Sequence, residues 1–147
     1  IYYPRYTTTW KSTTLNFDPA GDPLWVHADP SKLFQVLRNL LTNAIKYAAD
    51  SETVQLRAEA VNGEIVFSVQ DFGPGIPPES QIRLFEKFYQ VKQKGQERKT
   101  GSGLGLAIVK SIAERHGGHL AVLDISSEQV TKYPPEILVP RERKKRP

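Results

Sequence analysis

Three groups of residues in this chain have types and spacings that suit chemistry. The first is Asn39, Asn43 and Lys46, which at about 100° per residue fall together on one side of a helix, flanking its apolar stripe. Asn43 stands nearest the stripe and is expected to be half-buried. A buried amide needs partners, because leaving it unpaired costs about 1–3 kcal/mol. In one reading these side chains satisfy neighbouring backbone. In the other, Asn43 offers its oxygen to a magnesium ion held mainly by phosphates, with Lys46 beside the same phosphates. Magnesium takes hard oxygen ligands, few of them from protein.

The second group is Asp71 with Gly73 and Gly75, which follow an expected strand. A carboxylate there can accept a hydrogen bond from the exocyclic amine of adenine, and glycines let backbone approach a flat base. An Asx-type turn with glycine at positive φ would use the same residues. Both readings stand. The third group is Gly101-Ser102-Gly103-Leu104-Gly105-Leu106, three glycines directly ahead of an apolar helix. Backbone N–H groups in such a loop point forward and the helix dipole favours negative charge, which makes a phosphate cradle. No Gly-Lys-Ser/Thr follows, as a Walker A loop requires. The glycine spacing also breaks the dinucleotide fingerprint.

Positioning these groups falls to a small set of elements. Asp29 is an N-cap and Pro30 a first helical residue, opening a helix over 30–48 that carries Leu33, Val36, Leu37, Leu40, Leu41, Ala44 and Ile45 at helical spacing. Short strands are predicted over 13–17 and 24–27, around the turn at Pro19-Ala20-Gly21-Asp22-Pro23. Strands over 53–60 and 64–69 flank Asn62-Gly63, a hairpin signal. A short helix over 79–88 is predicted to end in an aromatic cluster, and 91–100 reads as a mobile polar loop. The glycine loop opens a helix over 106–116, closed by Gly117-Gly118, with strands over 120–125 and 137–139 after it. Residues 1–12 read as an extended lead-in, 13–140 as one domain and 141–147 as a basic tail.

Composition narrows the function classes. At 147 residues the chain fits one domain with one core. It has no cysteine, so disulfides, thiolate catalysis and the usual zinc sites are excluded. The formal charge is +4, and the last seven residues account for it: five cations against Glu142. The remainder is nearly neutral, which does not suit a nucleic-acid binder. No apolar run approaches the roughly 20 residues of a membrane-spanning helix, and no signal-peptide pattern opens the chain. The abrupt start at Ile1 reads as a segment of a longer protein.

Taken in order, these segments resemble the ATP-binding catalytic domain of sensor histidine kinases. Residues 29–48, with Gln35-Val36-Leu37-Arg38-Asn39-Leu40-Leu41-Thr42-Asn43-Ala44-Ile45-Lys46-Tyr47, look like the family's N box. Residues 71–76 are similar to its G1 box, Leu84-Phe85-Glu86-Lys87-Phe88-Tyr89 to its F box, 101–106 to its G2 box, and His116-Gly117-Gly118 to the close of its last helix. The resemblance covers about residues 13–125. It implies an α/β (α+β) two-layer sandwich: a mixed sheet of about five strands, three helices, and ATP beneath a flexible lid. Asn43 would bind Mg2+, and Asn39 and Lys46 would meet phosphate; these three would form the catalytic set. Tyr47 would lie near base or sugar, and Asp71 would read adenine in a pocket lined by Gly73, Gly75 and Ile76. Gly101, Ser102, Gly103 and Gly105 would hold phosphates, with Leu104 and Leu106 supporting the loop against the nucleotide. Residues 90–100 would be the lid, hinged by Phe85 and Phe88 as packing residues.

The resemblance further implies transfer of the γ-phosphoryl of Mg-ATP to a histidine on a separate dimerisation domain, then to a response-regulator receiver domain. It implies a cytoplasmic segment, with no membrane contact of its own, whether or not the parent is membrane-anchored. Three departures from the family pattern stand out. Gln90 occupies a position where arginine is common, leaving Lys92, Lys94 or Arg98 to supply a cation. Residues 126–135 lack the usual glycine-rich turn. Neither His27, His116 nor His119 sits where an acceptor histidine would. Related ATPases of the superfamily place Glu four residues before the magnesium-binding Asn; here that residue is Asn39, which cannot serve as a general base at neutral pH.

Overall fold

The computed structural model describes residues 6–10, 13–19, 22–47, 53–73, 75–91, 101–120 and 136–140. Its longest element is helix α1 (Pro30–Tyr47). Asp29 starts it: Oδ1 accepts the backbone N–H of Ser31 at 2.9 Å and of Lys32 at 3.2 Å, and the Ser31 hydroxyl at 2.7 Å. These satisfy donors that have no intrahelical partner, with Pro30 filling the position that needs none. The Ser31 hydroxyl first, then the Lys32 backbone, holds the Asp29 carboxyl below its ordinary 3.8.

Strands β1 (Tyr6–Trp10), β2 (Thr13–Pro19), β3 (Thr53–Val61) and β4 (Glu64–Asp71) precede a short α2 (Pro78–Gln81), then α3 (Gly105–Arg115), β5 (His119–Leu120) and β6 (Glu136–Pro140). The sheet order is β1-β2-β3-β4-β6-β5. It is mixed: β2 runs parallel to β3, with Thr14 opposite Thr53, and the other pairs are antiparallel. The β3–β4 hairpin turns on Asn62 at φ 50° and Gly63 at φ 83°, the double positive φ of a type I′ turn. Helices α1 and α3 pack on each other and on the sheet through Val36, Val109 and Ala113, joined by Val26, Leu40, Phe67, Ile112 and Leu120. Each fully buried valine there contributes about 1.5–3 kcal/mol relative to exposure. The α3 end is a Schellman motif: Gly117 N–H donates to Glu114 O at 3.0 Å and Gly118 N–H to Ala113 O at 2.8 Å, with Gly117 at φ 72°.

Three sequence expectations need correction. The predicted strand over 24–27 is a single bridge at Val26. Pro23 ahead of it cannot donate, and the N-cap at Asp29 leaves no room for a ladder. The predicted helix over 79–88 stops at Gln81. Beyond it, Arg83 N–H bonds Ser80 O at 3.0 Å, Glu86 N–H bonds Arg83 O at 3.0 Å and Tyr89 N–H bonds Glu86 O at 3.3 Å, a run of three-residue turns. Phe88 is not a packing residue: it is 73% exposed, and Leu84, at 8%, fills the core instead. The Tyr89 hydroxyl pins the same segment through Ser80 Oγ at 3.0 Å, while Arg83 stacks 4.4 Å from the Tyr89 ring centre. Of the expected 120–125 strand, 121–125 lie outside the described residues, as do 92–100 with Lys92, Lys94 and Arg98, the 126–135 turn and the tail over 141–147.

Candidate functional site

Two sequence groups meet along one side of α1. Asn39 Nδ2 donates to the carbonyl of Gly105, the first residue of α3, at 3.3 Å. One turn on, Asn43 faces the same glycine. A methyl placed on Gly105 would lie 3.9 Å from Asn43 Nδ2 and 4.0 Å from its Oδ1, an ordinary contact. A further turn brings the Lys46 ammonium against Gly101, into the space a β-carbon there would occupy. The three polar residues of α1 therefore line up along the glycine loop. Among the described residues no hydrogen bond engages the Asn43 amide, although the residue is only partly exposed.

The loop is held closed against the segment over 88–90. Gly103 sits at φ +69°, and a β-carbon on it would lie 2.8 Å from Phe88 Cα and carbonyl carbon. Phe88 N–H donates to Gly103 O at 2.9 Å, and Phe88 itself takes a positive φ of 66°. Two residues on, Gln90 Nε2 donates to Gly101 O at 2.6 Å. Pairs 88/103 and 90/101 thus keep the register of two antiparallel legs. Ser102 Oγ accepts Leu104 N–H at 3.3 Å. Leu104 O accepts Ile108 N–H at 3.0 Å, so the helix is under way at once.

Asp71 is the last residue of β4. Its Oδ1 accepts Gly73 N–H at 3.0 Å, so the Asx-type turn is real and occupies one of two carboxylate oxygens. Gly75 follows at φ 79°, and Ile76 O accepts Gln81 Nε2 at 2.8 Å, which anchors the turn to α2. Asp71 pairs with Val54 in β3. Strand β4, which carries Asp71 at its end, packs against α1. The Tyr47 backbone closes α1, and its side chain lies outside what is described. The described residues contain no group of three His, Cys, Asp or Glu that could hold a metal. No described helix is long and apolar enough to cross a membrane.

A family model for histidine kinase-, DNA gyrase B- and HSP90-like ATPases matches residues 28–141, which take in the whole of this arrangement. The chain belongs to that family. The sensor histidine kinase CusS of Escherichia coli K12 is 43% identical over 102 residues, 69% of this chain and 21% of CusS. The mycobacterial sensor histidine kinase MprB superposes with a TM-score of 0.65 at 32% identity, covering 86% of this chain and 84% of that one. Full-length ShkA, solved in complex with AMPPNP, gives a TM-score of 0.63 at 34% identity over 75% of this chain and 22% of that one. The chain spans 13–29% of the length of sensor kinases it matches in sequence.

Within this ATPase family the fold is the α+β sheet-and-helix architecture expected. Three contacts had no signal in the sequence. Gln90 could be read only as a missing cation, because nothing local predicts an amide bond across eleven residues. Phe88 as the backbone neighbour of Gly103 follows from a φ sign that residue type disfavours. His116 marked a helix end, yet it also reaches Asp29 at the far end of α1.

Proposed function

We propose that this chain binds Mg-ATP between the polar side of α1 and the glycine loop, and presents the γ-phosphoryl to a histidine on a separate dimerisation domain. A response-regulator receiver domain would accept the phosphoryl next. The observation that carries the reading is the convergence of Asn39, Asn43 and Lys46 on Gly105 and Gly101. A triphosphate in front of α3 would meet backbone N–H groups of Gly101, Ser102, Gly103 and Gly105, with Lys46 as a neighbouring positive charge. Leu104 and Leu106 support that turn from behind. Asp71 offers its second oxygen to adenine, with Gly73, Gly75 and Ile76 along the base and Tyr47 toward base or sugar. Lys92 remains the proposed extra cation.

The residues fit magnesium of the kind phosphates carry. Asn43 supplies one neutral hard oxygen from a partly buried amide, and among the described residues no group of three His, Cys, Asp or Glu could form an all-protein cage. When bound, the ion would neutralise charge on the phosphate oxygens. The protein's share is then positioning, since phosphoryl transfer asks little covalent chemistry of its catalyst. Asn39 Nδ2 is committed to Gly105 O, so it fixes α3 in place. A cytoplasmic setting, where ATP is found, belongs to this reading.

The test is titration of an ATP analogue with and without magnesium. Asn43→Ala should abolish the magnesium-dependent part of the affinity while adenosine binding stays within about twofold, since only the metal-side group is lost. Adding a helical acceptor domain from a sensor kinase should then yield acid-labile histidine phosphate on that domain. Equal magnesium dependence in wild type and Asn43→Ala would remove Asn43 from the metal.

A further inference from the structure

Helix α3 is tied to α1 at both of its own ends. At one end Asn39 bonds Gly105 O. At the other, the backbone N–H of Asp29 donates to His116 Nε2 at 3.1 Å. Asn39 stands ten residues after Asp29, and His116 eleven after Gly105. At about 1.5 Å per residue these spans are nearly equal, about 15 and 16 Å. Both ties therefore close only when α1 and α3 run antiparallel in one axial register, and a slip of one residue breaks both.

The apolar interface between the helices does not set that register alone. Val36, Val109 and Ala113 are short side chains, and burial is non-directional. A hydrogen bond tolerates only a few tenths of an ångström along the helix axis. His116 is suited to the task. Because Nε2 receives the Asp29 N–H, it carries no hydrogen, so Nδ1 does, and Nδ1 lies 2.8 Å from Ile112 O. That pattern of one accepting and one donating nitrogen uses a single tautomer of the ring. With one nitrogen it caps α3, and with the other it holds the N-cap of α1. His27, Ala28, Asp29, Pro30 and Arg115 surround it in a shared groove.

We propose that His116 is a positioning residue for the phosphate side of the site: it fixes the axial register of α3 along α1, and so sets where the glycine loop stands relative to Asn43. The inference rests on the nucleotide reading above for its functional consequence, but not for its structural one. Movement of α3 would shift Gly105 against Asn43, while Asp71, carried on β4, would stay. Phosphate contacts should suffer and base contacts should not.

Two variants separate the two nitrogens. His116→Asn keeps a polar group near Ile112 O but is too short for Asp29. His116→Gln places an amide oxygen where Nε2 stands. For each folded variant, the amide resonances of Gly103 and Gly105 would be recorded without nucleotide, and affinities measured for ATP, ADP and adenosine. In His116→Asn the glycine resonances should move and ATP and ADP should weaken about five- to tenfold, the scale of one lost hydrogen bond and a small misplacement, with adenosine within about twofold. His116→Gln should return both toward wild type. Unmoved glycine resonances in folded His116→Asn would overturn the inference, as would equal weakening of ATP and adenosine, or no rescue by Gln. If His116→Asn does not fold, ring nitrogen shifts in the wild type decide: a protonated Nε2 refutes the tie, and an unprotonated Nε2 coupled to the Asp29 amide supports it. A wild type that binds neither ATP nor adenosine would defeat the nucleotide reading, while the glycine resonances would still judge the register.

Discussion

Gly103→Ala is the sharpest perturbation of the loop. The glycine sits at φ +69°, where an alanine costs about 1–2 kcal/mol. Its new methyl would also lie 2.8 Å from Phe88 Cα and carbonyl carbon, and backbone cannot swing aside as a side-chain tip can. Relief requires the two legs to part, which breaks the 2.9 Å bond from Phe88 N–H to Gly103 O, worth about 1 kcal/mol. The sum is about 2–3 kcal/mol against the closed loop. Opening the loop is the easier response than unfolding the domain, so nucleotide affinity should carry most of it, falling about 30- to 100-fold. Gly63→Ala is the control: its φ is +83°, but nothing lies within 4 Å of the added methyl. It should lower Tm by about 3 °C through strain of about 1 kcal/mol, with ATP affinity unchanged. Calorimetry and thermal unfolding of both variants make the comparison. Gly103→Ala that binds ATP within about threefold of wild type, at an unchanged Tm, would refute the geometry.

Asp71→Asn should weaken adenosine and ATP alike by about 1–3 kcal/mol, because an amide donor would then face the adenine amine; calorimetry with both ligands checks that the loss is shared. Asp29→Ala should lower Tm at neutral pH, since the cap to Ser31 and Lys32 is lost. Its carboxyl is held below 3.8 in the folded state, so the stabilisation is complete above 3.8 and disappears as pH falls through the lower folded value. The Tm gap between wild type and variant should close over that acid range and be constant above it. Phe88→Gly should leave Tm level or raise it by a few degrees, because relief of a positive φ offsets the added chain entropy, about 1 kcal/mol each way, and the ring is 73% exposed. A clear drop in Tm would show that the ring is packed.

Elements that announce themselves by local chemistry were legible. Asp29-Pro30 opened α1, Asn62-Gly63 turned the hairpin and Gly117-Gly118 closed α3, each within a residue or two of expectation. Helical spacing also placed Asn39, Asn43 and Lys46 on one side before any partner was known. What the sequence did not hold was the pairing of distant segments. The stretch over 79–88 has helical composition, yet Leu84 is drawn into the core and Tyr89 to Ser80, and three-residue turns win over propensity. Gln90 illustrates the same limit, since its meaning depends on Gly101 arriving beside it. The 24–27 stretch failed for the opposite reason: its alternation is real, but Pro23 and the Asp29 cap leave only Val26 to pair.

The choice between hydrolysis and transfer comes down to what stands one turn before Asn43. A carboxylate there could orient and deprotonate water beside the γ-phosphate. This chain has Asn39, whose amide can neither take that proton nor turn freely, since its Nδ2 is bonded to Gly105 O. The same bond seats the start of α3 against α1, so replacing Asn39 by a carboxylate would remove a donor and set a negative charge against a carbonyl oxygen. Gaining a base here would therefore loosen the glycine loop proposed to hold the phosphates. The arrangement is consistent with a domain that holds a triphosphate still and leaves the nucleophile to another domain. What the geometry itself gives Asn39 is the bond that joins the middle of α1 to the first residue of α3.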